Sequence, residues 1–173
     1  MSCFLITGGA GFFGSVLKEI LLNQGHKCVS IDLEPDDFKH PNFIPLQGDI
    51  RNIDMLENLF QKYKFDAVFH CAALLAHVKK DLKELWSSNV DGTKNIAECC
   101  KKYGINKIIF ISSNCLWAKN FDYPVPETEK PEPVELYGKS KLEGEKILKS
   151  YSDCINSIIF RSPTIMDEGR LGL

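Results

Sequence analysis

The stretch Cys3–Gly25 reads CFLITGGAGFFGSVLKEILLNQG, and the fold turns on it. Cys3–Thr7 is a short β-rich apolar run that ends at a glycine cluster. Phe12 to Gln24 then has helical periodicity, with Phe13, Val16, Leu17, Ile20 and Leu21 on one stripe and Gly25 as the stop. Gly8, Gly11 and Gly14 fall in the turn between them, spaced GxxGxxG. Glycines at such a strand–turn–helix corner permit a tight turn and close backbone approach to a pyrophosphate. The helix start after it, at Phe12 and Phe13, presents backbone N–H groups and the positive end of the helix dipole to that anion.

The same alternation continues outward from this corner. Lys27–Asp32, Asn42–Leu46, Asp66–His70, Lys107–Ser112 and Ile155–Arg161 are predicted strands. Helices are predicted over Asn52–Tyr63, with Met55, Leu56, Leu59 and Phe60 on one face, over Asp81–Tyr103, with Val90, Thr93, Ala97 and Cys100 at helical spacing, and over Leu136–Tyr151. Apolar strands separated by helices argue an α/β fold with a parallel sheet buried on both faces. Right-handed crossovers make it a doubly wound parallel sheet in three α/β/α layers, with residues 1–173 as one domain. Trp117 to Glu135 departs from the pattern: it holds Pro124, Pro126, Pro131 and Pro133, which exclude a regular element. It is either a surface connection or a lid on the substrate side.

Composition bounds the class. Among 173 residues, 21 Lys and Arg stand against 23 Asp and Glu, for a net charge of −2. There is no basic excess to hold nucleic acid or coat an acidic membrane. No apolar run approaches the ~20 residues of a membrane span, and MSCFLITGG lacks the features of a secretory leader. Seven scattered cysteines without a CxxC pair read as reduced thiols in a cytoplasmic protein, and no metal site is expected.

Five residues carry candidate chemistry beyond the turn. Asp32 closes the second strand 18 residues after Gly14, where an acid accepts hydrogen bonds from ribose hydroxyls and repels a 2′-phosphate, or caps a turn. Asp49, in QGDIRN, ends the next strand as an adenine contact or as a cap. Tyr137 and Lys141 in YGKSK lie four apart, on one helix face. An ammonium near a phenol favours the phenolate and makes it a usable acid/base for an alcohol. Ser113 sits at the C-terminal end of a strand, where its hydroxyl reaches a reacting oxygen.

Taken in order, TGGAGFFGS (7–15), Asp32, GDI (48–50), HCAA (70–73), NVDGT (89–93), ISS (111–113), YGKSK (137–141) and FRSPT (160–164) resemble the extended short-chain dehydrogenase/reductase family of NAD-dependent sugar epimerases and dehydratases. The resemblance covers nearly the whole chain. It implies a Rossmann-type fold and NAD as cofactor, bound by Gly8, Gly11, Phe12, Phe13 and Gly14 at the pyrophosphate and Asp32 at the adenosine ribose. Asp49 and Ile50 would flank the adenine, and Ala72 and Ala73 would line the cleft. Tyr137 would be the acid/base, Lys141 would bind the nicotinamide ribose and tune Tyr137, and Ser113 would orient the substrate hydroxyl. Asn89 would be a buried polar residue behind the cofactor, or else a helix N-cap.

Three departures from the family pattern matter. After the serine the family reads VYG, whereas this chain has Leu116-Trp117-Ala118, with Trp117 reshaping the substrate side or filling core. Dehydratases carry an Asp-Glu pair where this chain has Asn114 and Cys115, which disfavours dehydration. Family members also continue past FRSPT into a C-terminal substrate domain. This chain reads as a truncated product or a minimal cofactor module, inactive alone. The expected function is epimerisation at a secondary alcohol of a nucleotide sugar, with a homodimer as the assembly. The rival readings are an NAD(P)H-dependent carbonyl reductase and a non-catalytic dinucleotide-binding regulator.

Overall fold

The computed structural model describes residues 1–75, 81–117, 121–163 and 165. The strands are β1 (Cys3–Thr7), β2 (Lys27–Asp32), β3 (Phe43–Gln47), β4 (Ala67–His70), β5 (Lys107–Ser113) and β6 (Asn156–Ser162). They form one sheet in the order β3-β2-β1-β4-β5-β6, and every pairing is parallel. The winding reverses between β1 and β4, so a ligand crevice belongs at the C-terminal ends of those two strands. The helices are α1 (Phe12–Asn23), α2 (Ile53–Lys62), α3 (Leu82–Trp86), α4 (Gly92–Tyr103) and α5 (Leu136–Ser150). None is long and apolar enough to cross a membrane.

Strand alternation divides the core in two. Leu5, Val29, Val68, Ile108 and Phe110 face α2, α4 and α5 and build the larger cluster. Ile6, Cys28 and Phe43 face the other way and pack on Leu21 and Leu22 of α1. Each such fully buried side chain contributes roughly 1.5–3 kcal/mol. The second outer layer is thin. Over β5 and β6 no helix covers this face among the described residues, and Ile158 and Phe160 are 59% and 56% exposed.

Local pattern and structure differ in three places. The stripe expected on α1 is only partly the buried one: Leu21 is buried and Leu17 packs on the core, but Val16 and Ile20 are exposed, while Gly14, Lys18 and Leu22 are buried. Gly14 must back onto the glycine turn, and that contact rotates the helix. Lys18 then enters the protein, pairing with Asp36 and lying 5.0 Å from the Phe43 ring centroid. The single helix expected over 81–103 is broken by a π-helical turn at Ser87–Asp91. The strand expected over Asn42–Leu46 is β3, shifted by one residue and running through Pro45, which it tolerates because it is an edge strand. Trp117 belongs to neither core cluster. Its half-buried ring lies 5.3 Å from the Arg161 guanidinium, and Arg161 Nη1 also donates to the Glu127 carbonyl at 2.9 Å. Arg161 thus ties the proline-rich connection to the sheet. Ala118 and Thr164 lie outside the described residues.

Candidate active site

The chain has four residues, 8–11, in which to turn from β1 into α1. Gly8 takes φ +74°, and a Cβ there would lie 2.7 Å from the Ala72 backbone nitrogen. A Cβ on Gly14 would overlap the Gly8 carbonyl oxygen and lie 2.8 Å from Gly9 Cα. Both glycines are therefore required by space, Gly8 by conformation as well. Gly11 caps α1 through its backbone alone, and the first turn, opened by Phe12 and Phe13, contains no acid. An uncapped helix start without a carboxylate suits an external anion.

Beside this turn an open cleft of about 160 Å³ lies at the β1/β4 switch point, lined by Gly8, Gly11, Asp32, Asp49, Ile50, Ala72, Ala73, Leu74 and Ser88. Asp32 caps the turn: its oxygens accept from Ala10 N at 3.0 Å and Glu34 N at 3.1 Å, and it also lines the cleft. Asp49 is engaged by Arg51, whose Nε and Nη2 donate to it at 2.8 and 2.5 Å. Burial alone would raise the Asp49 pKa, but the Arg51 hydrogen bonds outweigh it and hold the carboxyl below its usual range. Ile50 is backed by Gly92, where a Cβ would come within 2.6 Å of Ile50 Cδ1.

A buried polar chain runs behind the cleft. Ala72 N donates to Thr7 Oγ1 at 3.2 Å, and Thr7 Oγ1 contacts His70 Nδ1 at 2.7 Å. His70 Nε2 contacts Thr93 Oγ1 at 2.8 Å, and Thr93 donates to the Asn89 carbonyl at 2.6 Å. Thr93 spends its proton on that carbonyl, so it accepts from His70 Nε2–H, and Nδ1 accepts from Thr7. Asn89 is not an N-cap: it sits inside the π-helical turn, where its amide accepts from Leu74 N at 2.8 Å and donates to Leu74 O at 3.0 Å. It also donates to Ser140 Oγ at 3.0 Å, and Ser140 donates to the Tyr137 carbonyl at 2.7 Å. The wide turn is what brings this side chain inward.

Burial, with the Lys141 charge adding, pushes the His70 imidazole down to about 3. It is neutral in the fold, and a solvated histidine titrates near ~6.5. Below that pH the unfolded chain binds the extra proton, so stability falls as pH drops. Thermal melts should show a loss of up to about 1.4 kcal/mol per pH unit from pH 6.5 to 5, above the carboxylate range. The slope should flatten in His70→Gln; an unchanged slope would assign it to other groups.

Ser113 ends β5, and Lys141 reaches the same strand from α5, with the Tyr137 ring one turn before it. Ser113 Oγ accepts from Cys115 N at 3.1 Å, which starts a short 3₁₀ turn. Gly138 lets α5 approach that turn, because a Cβ there would run into the Cys115 carbonyl and lie 2.9 Å from Pro133 Cβ. Lys141 is buried; its Nζ donates to the Ile111 carbonyl at 2.7 Å, 4.7 Å from the Phe110 ring centroid and 5.9 Å from that of Tyr137. Burial pushes its ammonium down to about 8. Ser112, next to Ser113, donates to the buried Glu145 at 2.7 Å, which also pairs with Arg161 at 2.8 Å.

Residues 4–166 match the model of the NAD-dependent epimerase/dehydratase family. The chain belongs to that family. It is 37% identical over 172 residues to an uncharacterised protein, y4nG, of Sinorhizobium fredii, covering 98% of this chain and 42% of that one. Among solved structures it is similar to a UDP-glucose 4-epimerase with UDP-glucose from Thermotoga maritima, with TM-score 0.84 and 28% identity over 92% of this chain and 54% of that one. It is also similar to the Bordetella bronchiseptica enzyme WbmG in complex with NAD and UDP, with TM-score 0.82 and 30% identity over 91% and 52%. The chain thus spans about half the length of these proteins.

Against the family pattern, Gly138, Ser140, Thr7, His70 and Thr93 are the residues whose individual work the sequence hid. Each stands in a motif segment, but a lone threonine or histidine among apolar neighbours reads as core. Only contacts across 63 positions (Thr7 to His70) and 51 positions (Asn89 to Ser140) reveal the chain they form.

Proposed function

We propose that this chain is the NAD-binding domain of an epimerase acting at a secondary alcohol of a nucleotide sugar. The observation supporting it most is the buried Lys141 ammonium beside the Tyr137 ring, on the same rim as Ser113 and the glycine cleft. A protein that only senses a dinucleotide has no use for a charge buried there at the expense of its hydration. Gly8 and Gly14 leave the backbone bare where a pyrophosphate would lie, and α1 supplies its uncapped start. Asp32 would exchange its turn hydrogen bonds for the adenosine ribose. When bound, NAD supplies the two-electron acceptor that takes and returns the carbon-bound hydrogen. Tyr137 takes the hydroxyl proton, Lys141 favours the phenolate by charge, and Ser113 hydrogen-bonds the reacting oxygen. Asn114 and Cys115 offer no carboxyl group for eliminating water, so epimerisation is favoured over dehydration.

Asp32 is followed by Leu33 and Glu34, with no cation to receive a 2′-phosphate. Calorimetry should find NAD bound at least about tenfold more tightly than NADP, the typical reach of a charge-assisted hydrogen bond. Equal or tighter NADP binding would overturn this assignment of Asp32. Mixing protein, NAD and UDP-glucose and following the sugar by NMR tests the reaction itself; a change in cofactor redox state without a change in sugar stereochemistry points to the reductase.

We further propose a homodimer through the sheet face that the described residues leave uncovered. Ile158 and Phe160 are exposed side by side on β6, and a parallel sheet is normally covered on both faces. Light scattering at tens of micromolar should report a dimer, and Ile158→Lys with Phe160→Lys should report a monomer. A monomeric unmutated chain would rule the dimer out.

A further inference from the structure

A buried cation holds the glycine turn from within. Lys18 is 3% exposed, and its Nζ donates to the Gly9 carbonyl at 3.3 Å. It also pairs with Asp36, in the segment between β2 and β3, whose side chain is 8% exposed. The rings of Phe38 and Phe43 lie against it, their centroids 5.1 and 5.0 Å from Nζ. A carboxylate and two ring faces thus replace the water that a buried ammonium gives up. Gly9 O belongs to the peptide whose N–H, on Ala10, donates to Asp32 Oδ2 at 3.0 Å. That peptide is trans, so its carbonyl and its N–H point opposite ways. Lys18 holds one end of it, and the other end holds Asp32.

We infer that Lys18 is a positioning residue for Asp32: by fixing the Gly9–Ala10 peptide, it presets the carboxylate for the hydroxyls of the adenosine ribose. This deepens the dinucleotide reading and rests on it. Lys18 grips the end of the peptide that faces away from Asp32. The grip therefore persists whatever share of its hydrogen bonds Asp32 gives to the ribose. Presetting matters because an acceptor that must be ordered on binding returns part of its hydrogen-bond energy as lost freedom. An apolar side chain at position 18 would pack against the same rings but leave the Gly9 carbonyl unheld.

The test compares NAD with its analogue lacking the 2′-hydroxyl of the adenosine ribose. Affinities are measured by calorimetry on wild type, on Asp36→Asn, and on the double variant Lys18→Met with Asp36→Asn. Thermal melts show that each is folded. Lys18→Met alone would strand the Asp36 carboxylate in the interior, so the double variant removes both charges. Wild type should bind NAD about tenfold more tightly than the analogue, the typical reach of a charge-assisted hydrogen bond. In the double variant that ratio should narrow to about threefold or less, as the hydrogen bond to the ribose is no longer preset. In Asp36→Asn, where Lys18 keeps the Gly9 carbonyl, the ratio should stay within about twofold of wild type. A merely structural role for Lys18 would weaken both ligands alike. An unchanged ratio in the double variant would therefore overturn the inference. So would a ratio that narrows as much in Asp36→Asn, by assigning the effect to the Asp36 segment. Should the double variant fail to fold, Lys18→Leu with Asp36→Asn carries the same expectation. Wild type that binds both ligands equally would overturn the ribose role of Asp32, and absence of NAD binding would overturn the dinucleotide reading; either takes this inference with it.

Discussion

Replacing Tyr137 by Phe is expected to lower epimerase turnover by about 10²–10⁴-fold, the usual contribution of a positioned acid/base, while NAD affinity stays within a few-fold. The phenyl ring keeps the packing of α5, and the Ser140 hydroxyl still donates to the residue 137 carbonyl, which the substitution leaves in place. The Lys141 anchor on the Ile111 carbonyl is likewise untouched. Only the proton-carrying oxygen is lost, so a fall in turnover without a fall in binding isolates the chemistry. Near-normal turnover in Tyr137→Phe would mean that the proton travels another way. UDP-glucose is the first substrate to assay.

The second large effect is expected at Gly14. Its φ is unremarkable, so the constraint is space: a Cβ would meet the Gly8 carbonyl and lie 2.8 Å from Gly9 Cα, both backbone atoms of the turn that must stay put. Gly14→Val should destabilise the chain by roughly 3 kcal/mol or more in urea unfolding, at the severe end of overpacking. NAD binding should be lost in calorimetry. Gly25→Ala is the matched control. Gly25 has φ +81° but nothing within 4 Å of a new Cβ, so only conformation opposes the methyl group. That should cost about 1–2 kcal/mol and leave NAD binding alone. Equal effects at the two glycines would remove the argument from space.

Much of the architecture is written locally. The six strands and the α1, α2 and α5 helices follow from apolar runs and helical periodicity, with boundaries shifted by a residue or so, while α4 is the C-terminal part of the helix expected over Asp81–Tyr103. Gly104, expected as a helix stop, takes φ +71° after α4. Parallel strands joined by right-handed crossovers follow from the same alternation, whereas the order β3-β2-β1-β4-β5-β6 is seen only in the structure. The placement of Tyr137 and Lys141 on one helix face also follows from their spacing.

What the sequence could not supply is which groups meet. Periodicity names an apolar stripe on α1, but the helix turns on Gly14, because the glycine turn behind it admits no side chain; Val16 and Ile20 are left outside and Lys18 is taken in. Asp49 reads as a bare carboxylate at a strand end, whereas Arg51 two residues on donates to both its oxygens. The π-helical turn around Asn89 has no propensity signature; it exists because Leu74 and Ser140 offer the amide its partners. By itself the sequence determined the fold class, the glycine corner and the helix face that carries Tyr137, since each depends on residues within a few positions of one another. Tertiary structure alone decided how α1 is rotated, which carboxylate is already paired and how His70 joins the two halves of the site, because those depend on contacts between residues that the chain holds far apart.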